Sequence, residues 1–251
     1  MRIVAWGLSD TGLNASDLQL YAVADGMGGH QAGDRASQMA VSILEEELRH
    51  ADLDGASRAG LDVDEAPGRC LQAAVRTASA KIYEEAEQDP SAKGMGTTLT
   101  SLLISGGRAH LAHVGDSRCY LYRDGRLEQL TMDHSWIEEQ VRAGFMSRAE
   151  AEQSALKHVV TRSVGFEGEV DVDVMVMPTL MGDCFLLCSD GLSNYLNERQ
   201  LRDYLERGYY SEVPRRLVDT ANALGGDDNI TVLVVYVANH RPALDERSPS
   251  A

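Results

Sequence analysis

Long hydrophobic runs are missing from this chain. None of its 251 residues belongs to an apolar stretch near the roughly 18–20 residues that a membrane span requires. The longest run, Val232 to Ala238, is the size of a strand. Positive charge is also in short supply: 23 Lys and Arg stand against 39 Asp and Glu, a formal net charge of −16. Such a field repels phosphate backbones and anionic lipid, which disfavours nucleic acid and membrane surfaces as partners. It is compatible with the collection of divalent cations, although most of these acids are expected to be solvated surface. Cysteine is scarce, and Cys70, Cys119, Cys184 and Cys188 form no Cys-x-x-Cys pair. The opening MRIVAWGLSD lacks the apolar core of a signal peptide and reads as a short strand. Reduced core cysteines and a cytoplasmic location are therefore expected. Internal repeats, low-complexity segments and dividing linkers are absent. One domain over residues 1–238 is expected, followed by a loose tail over 239–251 that carries two prolines and mixed charge.

What is present is a set of strand-like runs separated by short Gly and Asp turns. Ile3–Leu8 and Gln19–Ala24 come early; Thr97–Ser105, Arg108–Val114 and Cys119–Arg123 cluster in the middle. Val172–Met177, Phe185–Ser189 and Thr231–Ala238 follow. Helical periodicity marks Ala36–Leu48 and Cys70–Ala86, with an acidic, exposed loop expected over Ala51–Pro67. Ser147 with Glu150 and Asn197 with Gln200 predict two further helix starts, and Ser211–Leu224 a last helix. Strands come in blocks rather than in strict alternation with helices. That pattern favours an α+β layered fold with largely antiparallel sheets.

The informative feature is what stands where apolar strands stop. Tyr21–Ala24 runs into Asp25-Gly26, Phe185–Ser189 into Asp190-Gly191, and His113-Val-Gly into Asp116. Asp227-Asp228-Asn229 stands immediately before the last strand. Asp-Gly is also the favoured dipeptide of a type I′ hairpin turn, and Asp124-Gly125, between alternating charged flanks, reads as that. Asp25 and Asp190 instead follow nearly continuous apolar runs. If the four ends meet, the carboxylates repel unless cations hold them. Oxygen-only ligation suits Mg²⁺ or Mn²⁺, whereas no His/Cys cluster has the spacing of a zinc site. His113, His134 and His158 read as core or supporting histidines. Two such cations would clamp a phosphoryl oxygen and deprotonate a water, which implies metal-assisted phosphate-ester hydrolysis. The glycine-rich stretch Asp25–Gly33 has no Gly-Lys-Ser/Thr and is not a Walker loop. It is expected to bring backbone close to a metal, with the Gly26 carbonyl as a ligand, and to lead into a helix near Ala32.

Taken in order, the motifs resemble the PPM-type (phosphatase 2C) Ser/Thr protein phosphatases of bacteria. They are Ser9-Asp-Thr-Gly12, Val23-Ala-Asp-Gly-Met-Gly-Gly-His30, Gly96-Thr-Thr98 and Val114-Gly-Asp-Ser-Arg118. Leu130-Thr-Met-Asp-His-Ser135, Val160-Thr-Arg162 with Gly165, Ser189-Asp-Gly-Leu192 and Asp228-Asn-Ile-Thr231 complete the set. The resemblance implies a four-layer αββα sandwich of two antiparallel sheets flanked by helices, with a Mn²⁺/Mg²⁺ pair at one end. By position, Asp25 is similar to the carboxylate bridging both metals, with the Gly26 carbonyl on one of them. Asp190 and Asp228 look like further ligands, and Asp116 with Asp190 like the holders of a third, looser ion. The implied reaction is in-line attack of a metal-bridging hydroxide on phosphoserine or phosphothreonine, so that Asp25, Asp190 and Asp228 are the catalytic set. Met27 and His30 follow the bacterial pattern, and no protein group is assigned as general acid. Phosphoprotein substrates, an opposing Ser/Thr kinase and a monomeric state are the expected partners and assembly.

One family motif is missing. Members carry an Arg and then an Asn-Glu-Asp-like run before the strand that ends in the bridging Asp. Here Ser9-Asp-Thr-Gly-Leu13 passes straight into Asn14-Ala-Ser-Asp-Leu-Gln-Leu20. The Arg is a bidentate phosphate contact that lysine does not replace geometrically, and the acidic run serves the second metal. Asp10 or Asp17, and Arg35 or Arg162, are the available substitutes. Three readings stand at this point: a metal-dependent phosphatase, a catalytically impaired relative that binds a phosphoprotein or kinase, and an acidic interaction domain without metal. The last leaves the strand-end carboxylates unexplained.

Overall fold

The apolar runs pair into two antiparallel sheets. The computed structural model describes residues 2–7, 18–51, 66–208 and 210–238. In the first sheet the strands β1 (Arg2–Gly7), β2 (Gln19–Ala24), β5 (Leu99–Ser105), β6 (Arg108–Val114) and β9 (Asp173–Pro178) lie in the order β1-β2-β5-β6-β9. The second runs β11 (Val232–Tyr236), β10 (Cys184–Cys188), β7 (Arg118–Arg123), β8 (Arg126–Gln129). A two-rung ladder joins β3 (Gly26–Met27) to β4 (Gly96–Thr97).

Both faces of the central strands β2, β5, β6 and β10 are covered, which is why these read as nearly continuous apolar runs, whereas the edge strands β8 and β9 are largely exposed. Successive side chains on a strand point to opposite faces. Along β2, Leu20, Ala22 and Ala24 meet helices α1 (His30–His50) and α2 (Ala66–Gln88), while Val23 faces the other sheet. Along β10, Phe185 and Leu187 face the first sheet; Leu186 and Cys188 face helices α6 (Glu198–Arg207) and α7 (Val213–Leu224). Three apolar layers between four layers of secondary structure result, the expected αββα sandwich. Each fully buried side chain of the size of Phe185 contributes about 1.5–3 kcal/mol.

Local signals resolved much of the rest. Both predicted capping boxes are present: Ser147 and Glu150 open α4 (Arg148–Gln153), and Asn197 and Gln200 open α6. Asp124-Gly125 joins β7 to β8 with both residues at positive φ, as a type I′ turn requires. Some boundaries differ. The run from Thr97 to Ser105 is broken at Thr98, whose N–H donates to the Asp25 carbonyl and whose Oγ1 accepts from the Asp25 N–H. Helix α1 begins at His30, ahead of the periodic stretch, and Ala66 and Pro67 already belong to α2. A short helix α3 (Trp136–Arg142) appears where none was expected. It buries no residue and so leaves no periodic pattern to read. The loop expected over Ala51–Pro67 falls largely, and the motif Ser9–Gly12 and the tail from Asn239 entirely, outside the described residues. Among the described residues no helix is long and apolar enough to cross a membrane.

Candidate metal centre

Asp25 comes from the first sheet, Asp190 and Asp228 from the second, and Asp116 from the loop that joins the two. Asp25 directly follows β2, where its backbone N–H donates to Thr98 Oγ1 (3.0 Å) and its carbonyl accepts from the Thr98 N–H (2.8 Å) and Thr97 Oγ1 (2.9 Å). Thr98 Oγ1 also meets Ser117 Oγ at 2.8 Å, which ties the Asp25 turn to the loop between β6 and β7 that carries Asp116. Gly115 permits that approach. It sits at φ +113°, and a Cβ there would fall 2.6 Å from Thr98 Cβ. The Gly115 N–H donates to His134 Nδ1 (3.0 Å), and the Gly115 carbonyl accepts from the His134 N–H (2.7 Å).

In the second sheet, β10 ends one residue before Ser189, and Asp190 is the first residue of the short helix α5 (Asp190–Ser193). Ser189 N–H donates to the Thr231 carbonyl (3.2 Å), and Thr231 N–H donates back to Ser189 Oγ (3.0 Å). Those bonds draw the Asp228–Asn229 turn against the Asp190 turn. Gly191 lets them touch, since a Cβ there would lie 2.3 Å from the Asn229 carbonyl oxygen. Asp228 Oδ1 accepts from the Asn229 N–H at 2.7 Å.

The electrostatics follow from this convergence. Burial pushes the Asp25 carboxyl up to about 7, and the charges of Asp190, Asp228 and Asp116 add to the effect. Burial and then the charges of Asp190 and Asp133 push Asp116 up to about 7 as well. Asp190 is raised by burial and by Asp228, against the pull of His158 and of an Asn194 Nδ2 donor 3.2 Å from Oδ2. Its other oxygen, Oδ1, is buried without any hydrogen-bond partner. A buried carboxylate with an unpaired oxygen and another acid nearby is costly in a protein alone. A hard divalent cation removes both costs, so the residues present fit one. Among the described residues, no three His, Cys, Asp or Glu side chains form a closed ligand cluster by themselves. That suits cations that complete their shells with waters and backbone carbonyls such as that of Gly26.

The structure thus brings Asp25, Asp116, Asp190 and Asp228 within one another's fields, and Gly26 opposes Thr97 beside them. Two histidines are supporting groups as expected. His113 meets Thr100 Oγ1 through Nδ1 (2.9 Å) and the Met132 carbonyl through Nε2 (3.0 Å), and burial pushes its pKa down to about 4. His134 accepts from Gly115 through Nδ1, so its Nε2–H is the donor to Asp173 Oδ2 at 3.1 Å. His158 departs from the expectation: its side chain is 57% exposed, with Nδ1 3.9 Å from Asp190 Oδ2. No sequence pattern signalled that contact. Both arginines named as substitutes for the missing phosphate contact pair with carboxylates at partly exposed positions. Arg35 pairs with Glu85 and Asp89, and Arg162 with Asp173 at 2.8 Å. A second unread pairing is Arg118 with Asp133, whose guanidinium and carboxylate meet at 2.6–3.1 Å and fix the start of β7. The four cysteines carry no disulfide. Three are buried, Cys70 only partly, and burial pushes the Cys188 thiol up to about 12 and Cys119 higher still. They are poor nucleophiles.

Comparison with known proteins gives consistent findings. The family model described as protein phosphatase 2C matches residues 10–221. A serine/threonine phosphatase, stp, of Listeria welshimeri is 39% identical over 223 residues, 88% of this chain and 86% of that protein. The crystal structure of the Mycobacterium tuberculosis serine/threonine phosphatase PstP/Ppp superposes with a TM-score of 0.77 at 34% identity, covering 95% of this chain and 99% of that one. The catalytic domain of PstP in complex with two manganese ions gives a TM-score of 0.75 at 36% identity, with 88% of each chain covered.

Proposed function

The chain belongs to the protein phosphatase 2C family, and on that premise we propose that it is a Mn²⁺- or Mg²⁺-dependent phosphatase of phosphoserine and phosphothreonine in proteins. Its cations are assigned to the edge where Asp25, Gly26, Asp116, Asp190 and Asp228 meet. Asp25, whose field is shared by the other three acids, would serve two cations together with the Gly26 carbonyl. Asp190 and Asp228 would supply the remaining side-chain ligands, and Asp116 with Asp190 would hold a further, looser ion. When bound, such cations supply charge for a phosphoryl oxygen and a deprotonated water near neutral pH.

The chain's own residues have three tasks in this reading. The four carboxylates hold the cations in position. Thr98, Ser117 and Ser189 fix the backbone turns that carry three of those acids. Buried, protonated thiols keep cysteine chemistry out of the reaction. The proposed substrates are phosphoproteins made by an opposing Ser/Thr kinase, and the proposed assembly is a monomer over residues 1–238.

The observation that carries the reading is the mutual field of four carboxylates from two sheets and the loop that joins them. Mn²⁺ is expected to support hydrolysis of p-nitrophenyl phosphate and of a phosphothreonine peptide, and a chelator or Asp190→Asn to abolish it. A second reading has its own support. The Arg and Asn-Glu-Asp-like run of relatives is missing after Leu13, and Arg35, Arg118 and Arg162 are all engaged with carboxylates. A domain that binds a phosphoprotein or kinase but turns over slowly is consistent with that. Bound Mn²⁺ by calorimetry with no turnover at millimolar Mn²⁺ selects this second reading.

A further inference from the structure

The loop that follows Val164 lies on helix α2 and is pinned there by one buried hydroxyl. The Gly165 N–H donates to Ser79 Oγ at 3.0 Å, and the Ser79 hydroxyl donates to the Glu167 carbonyl at 2.9 Å. Gly165, at φ +89°, lets the backbone rest on the helix, since a Cβ there would fall 2.1 Å from Ile82 Cγ2. Phe166 sits between the two bonds and is 63% exposed. Tyr83, also exposed, follows Ile82 on the helix, and its ring lies against Gly168, where a Cβ would be 3.3 Å from Tyr83 Cδ1. Single exposed apolar side chains are ordinary on protein surfaces. Phe166 differs because bonds on both sides fix its backbone, so it is displayed without the ordering cost that a mobile loop incurs on binding.

Charge and position say what would cover it. Glu167, Glu169 and Asp171 stand exposed along the loop while Val170 and Val172 are buried, and Glu84 and Glu87 stand exposed on α2 near Tyr83. The bases of α2 between Gln72 and Gln88 are Arg76 and Lys81, and Lys81 is paired with Glu47. A second copy of a chain with net charge −16 would set acids against acids here, whereas a basic segment would not. The loop also adjoins the metal edge. Val164 and Thr97 exchange both backbone bonds, at 2.8 and 3.0 Å, and Thr97 is the ladder partner of Gly26. Two strand spacings and two residues separate Phe166 from Gly26, at most about 19 Å between Cα atoms. An extended chain covers that in about six residues.

Resting on the phosphatase reading above, we propose that Phe166 and Tyr83, ringed by these acids, form a docking surface for the substrate phosphoprotein. It takes a segment in which an aliphatic residue is flanked by Lys or Arg. The aliphatic side chain covers the Phe166 ring, and the basic residues meet Glu167 and Glu169. The docked residue stands about six positions from the phosphothreonine at the metal edge. Phosphate takes no part in this contact, so the surface sorts substrates by a feature remote from the reacting group and acts on KM rather than on the chemical step.

The test uses the full chain with Mn²⁺ and phosphothreonine peptides that differ only about six residues from the phosphothreonine, where one carries Lys-Leu-Lys and the other Glu-Ser-Glu. Each is made with the triplet before and after the phosphothreonine. In one of the two orientations Lys-Leu-Lys is expected to lower KM roughly tenfold at equal kcat, and the gap narrows in high salt. Phe166→Ser removes the difference and leaves p-nitrophenyl phosphate hydrolysis and melting at wild-type values. Glu167→Lys combined with Glu169→Lys reverses the preference. Equal KM for all the peptides, or a preference that survives Phe166→Ser, overturns the docking surface and leaves the phosphatase reading standing. Dimerisation that is lost in Phe166→Ser gives the face to a second copy and overturns it too. Absence of turnover on every substrate overturns the phosphatase reading alone, and fluorescence anisotropy of the labelled peptides then decides. Tighter binding of Lys-Leu-Lys that is lost in Phe166→Ser supports the docking surface; equal binding overturns it.

Discussion

The two ends of strand β10 solve the same problem in opposite ways. Asp183 precedes the strand and Asp190 lies just past it, and burial pushes both carboxyls up. At Asp183 the push is overcome. Arg123 donates to both oxygens at 2.7 Å, the Leu180 N–H adds a third bond at 2.7 Å, and the pKa ends below the usual carboxylate range. At Asp190 the nearest groups are other acids, an amide and a distant imidazole, and the pKa ends above it. One end of the strand is neutralised from within the chain. The other is left for a cation from solution, which is the difference between a structural carboxylate and a ligand.

The comparison can be broken at either end, and the largest effect is expected at the open one. Asp25→Asn should lower kcat/KM by ~10³-fold or more, because several kcal/mol of charge stabilisation go with the cations. The same variant should be more stable than wild type in chelator. Raised folded-state pKa values mean that Asp25 and Asp116 contribute fully below about pH 4, and that the contribution is lost as pH rises through about 7. Urea unfolding in chelator should therefore show wild type losing ground to Asp25→Asn from pH 5 to pH 8, and Mn²⁺ should cancel the trend. Parallel pH profiles for the two proteins would contradict the assignment. Asp183 has the opposite sign: its depressed pKa gives stability that is present at neutral pH and lost in acid.

At the closed end, Arg123→Met leaves Asp183 buried without its partner and should cost about 3 kcal/mol in urea unfolding. Mn²⁺ affinity should not move; a large change there would mean that the two ends are not independent. Gly191→Ala sharpens the contrast from the backbone side. Its Cβ would collide with the Asn229 carbonyl, so a loss of about 1–3 kcal/mol should come with weaker Mn²⁺ binding by calorimetry. The smallest effect is reserved for the hairpin, far from either carboxylate pair in role. Gly125→Ala, at φ +76°, should cost about 1 kcal/mol, with phosphatase activity unchanged per folded molecule.

The parts legible in sequence were those governed by local chemistry. Strand-end acids, the Asp124-Gly125 turn and the two capping boxes each depend on residues a few positions apart, and the structure contains all of them. The four site acids could be picked out because each stands near the end of an apolar strand-like run. What could not be read depends on tertiary partners. Thr98 looks like any strand threonine until Asp25 is placed beside it. His158 lies far from Asp190 in sequence, and their 3.9 Å approach exists only in the folded chain. The carboxylates paired with Arg35 and Arg162, namely Glu85, Asp89 and Asp173, stand well away from them in sequence and could not be read from it. Helix α3 had one local sign, Ser135 followed three residues on by Glu138, but no buried face to reinforce it.

The layered interior has a mechanical meaning for the site. Asp25 follows a strand of one sheet, Asp190 and Asp228 flank strands of the other, and Asp116 sits on the loop that passes from β6 in the first sheet to β7 in the second. Val23, Leu111, Phe185 and Leu187 fill the gap that separates the two sheets. The sandwich therefore works as a caliper: its jaws are the two sets of carboxylates, and its setting is the thickness of that central filling. Shaving an atom group from Phe185 is expected to change the jaw opening without touching a ligand. Grip on a cation becomes a gauge of how the middle of the protein is packed.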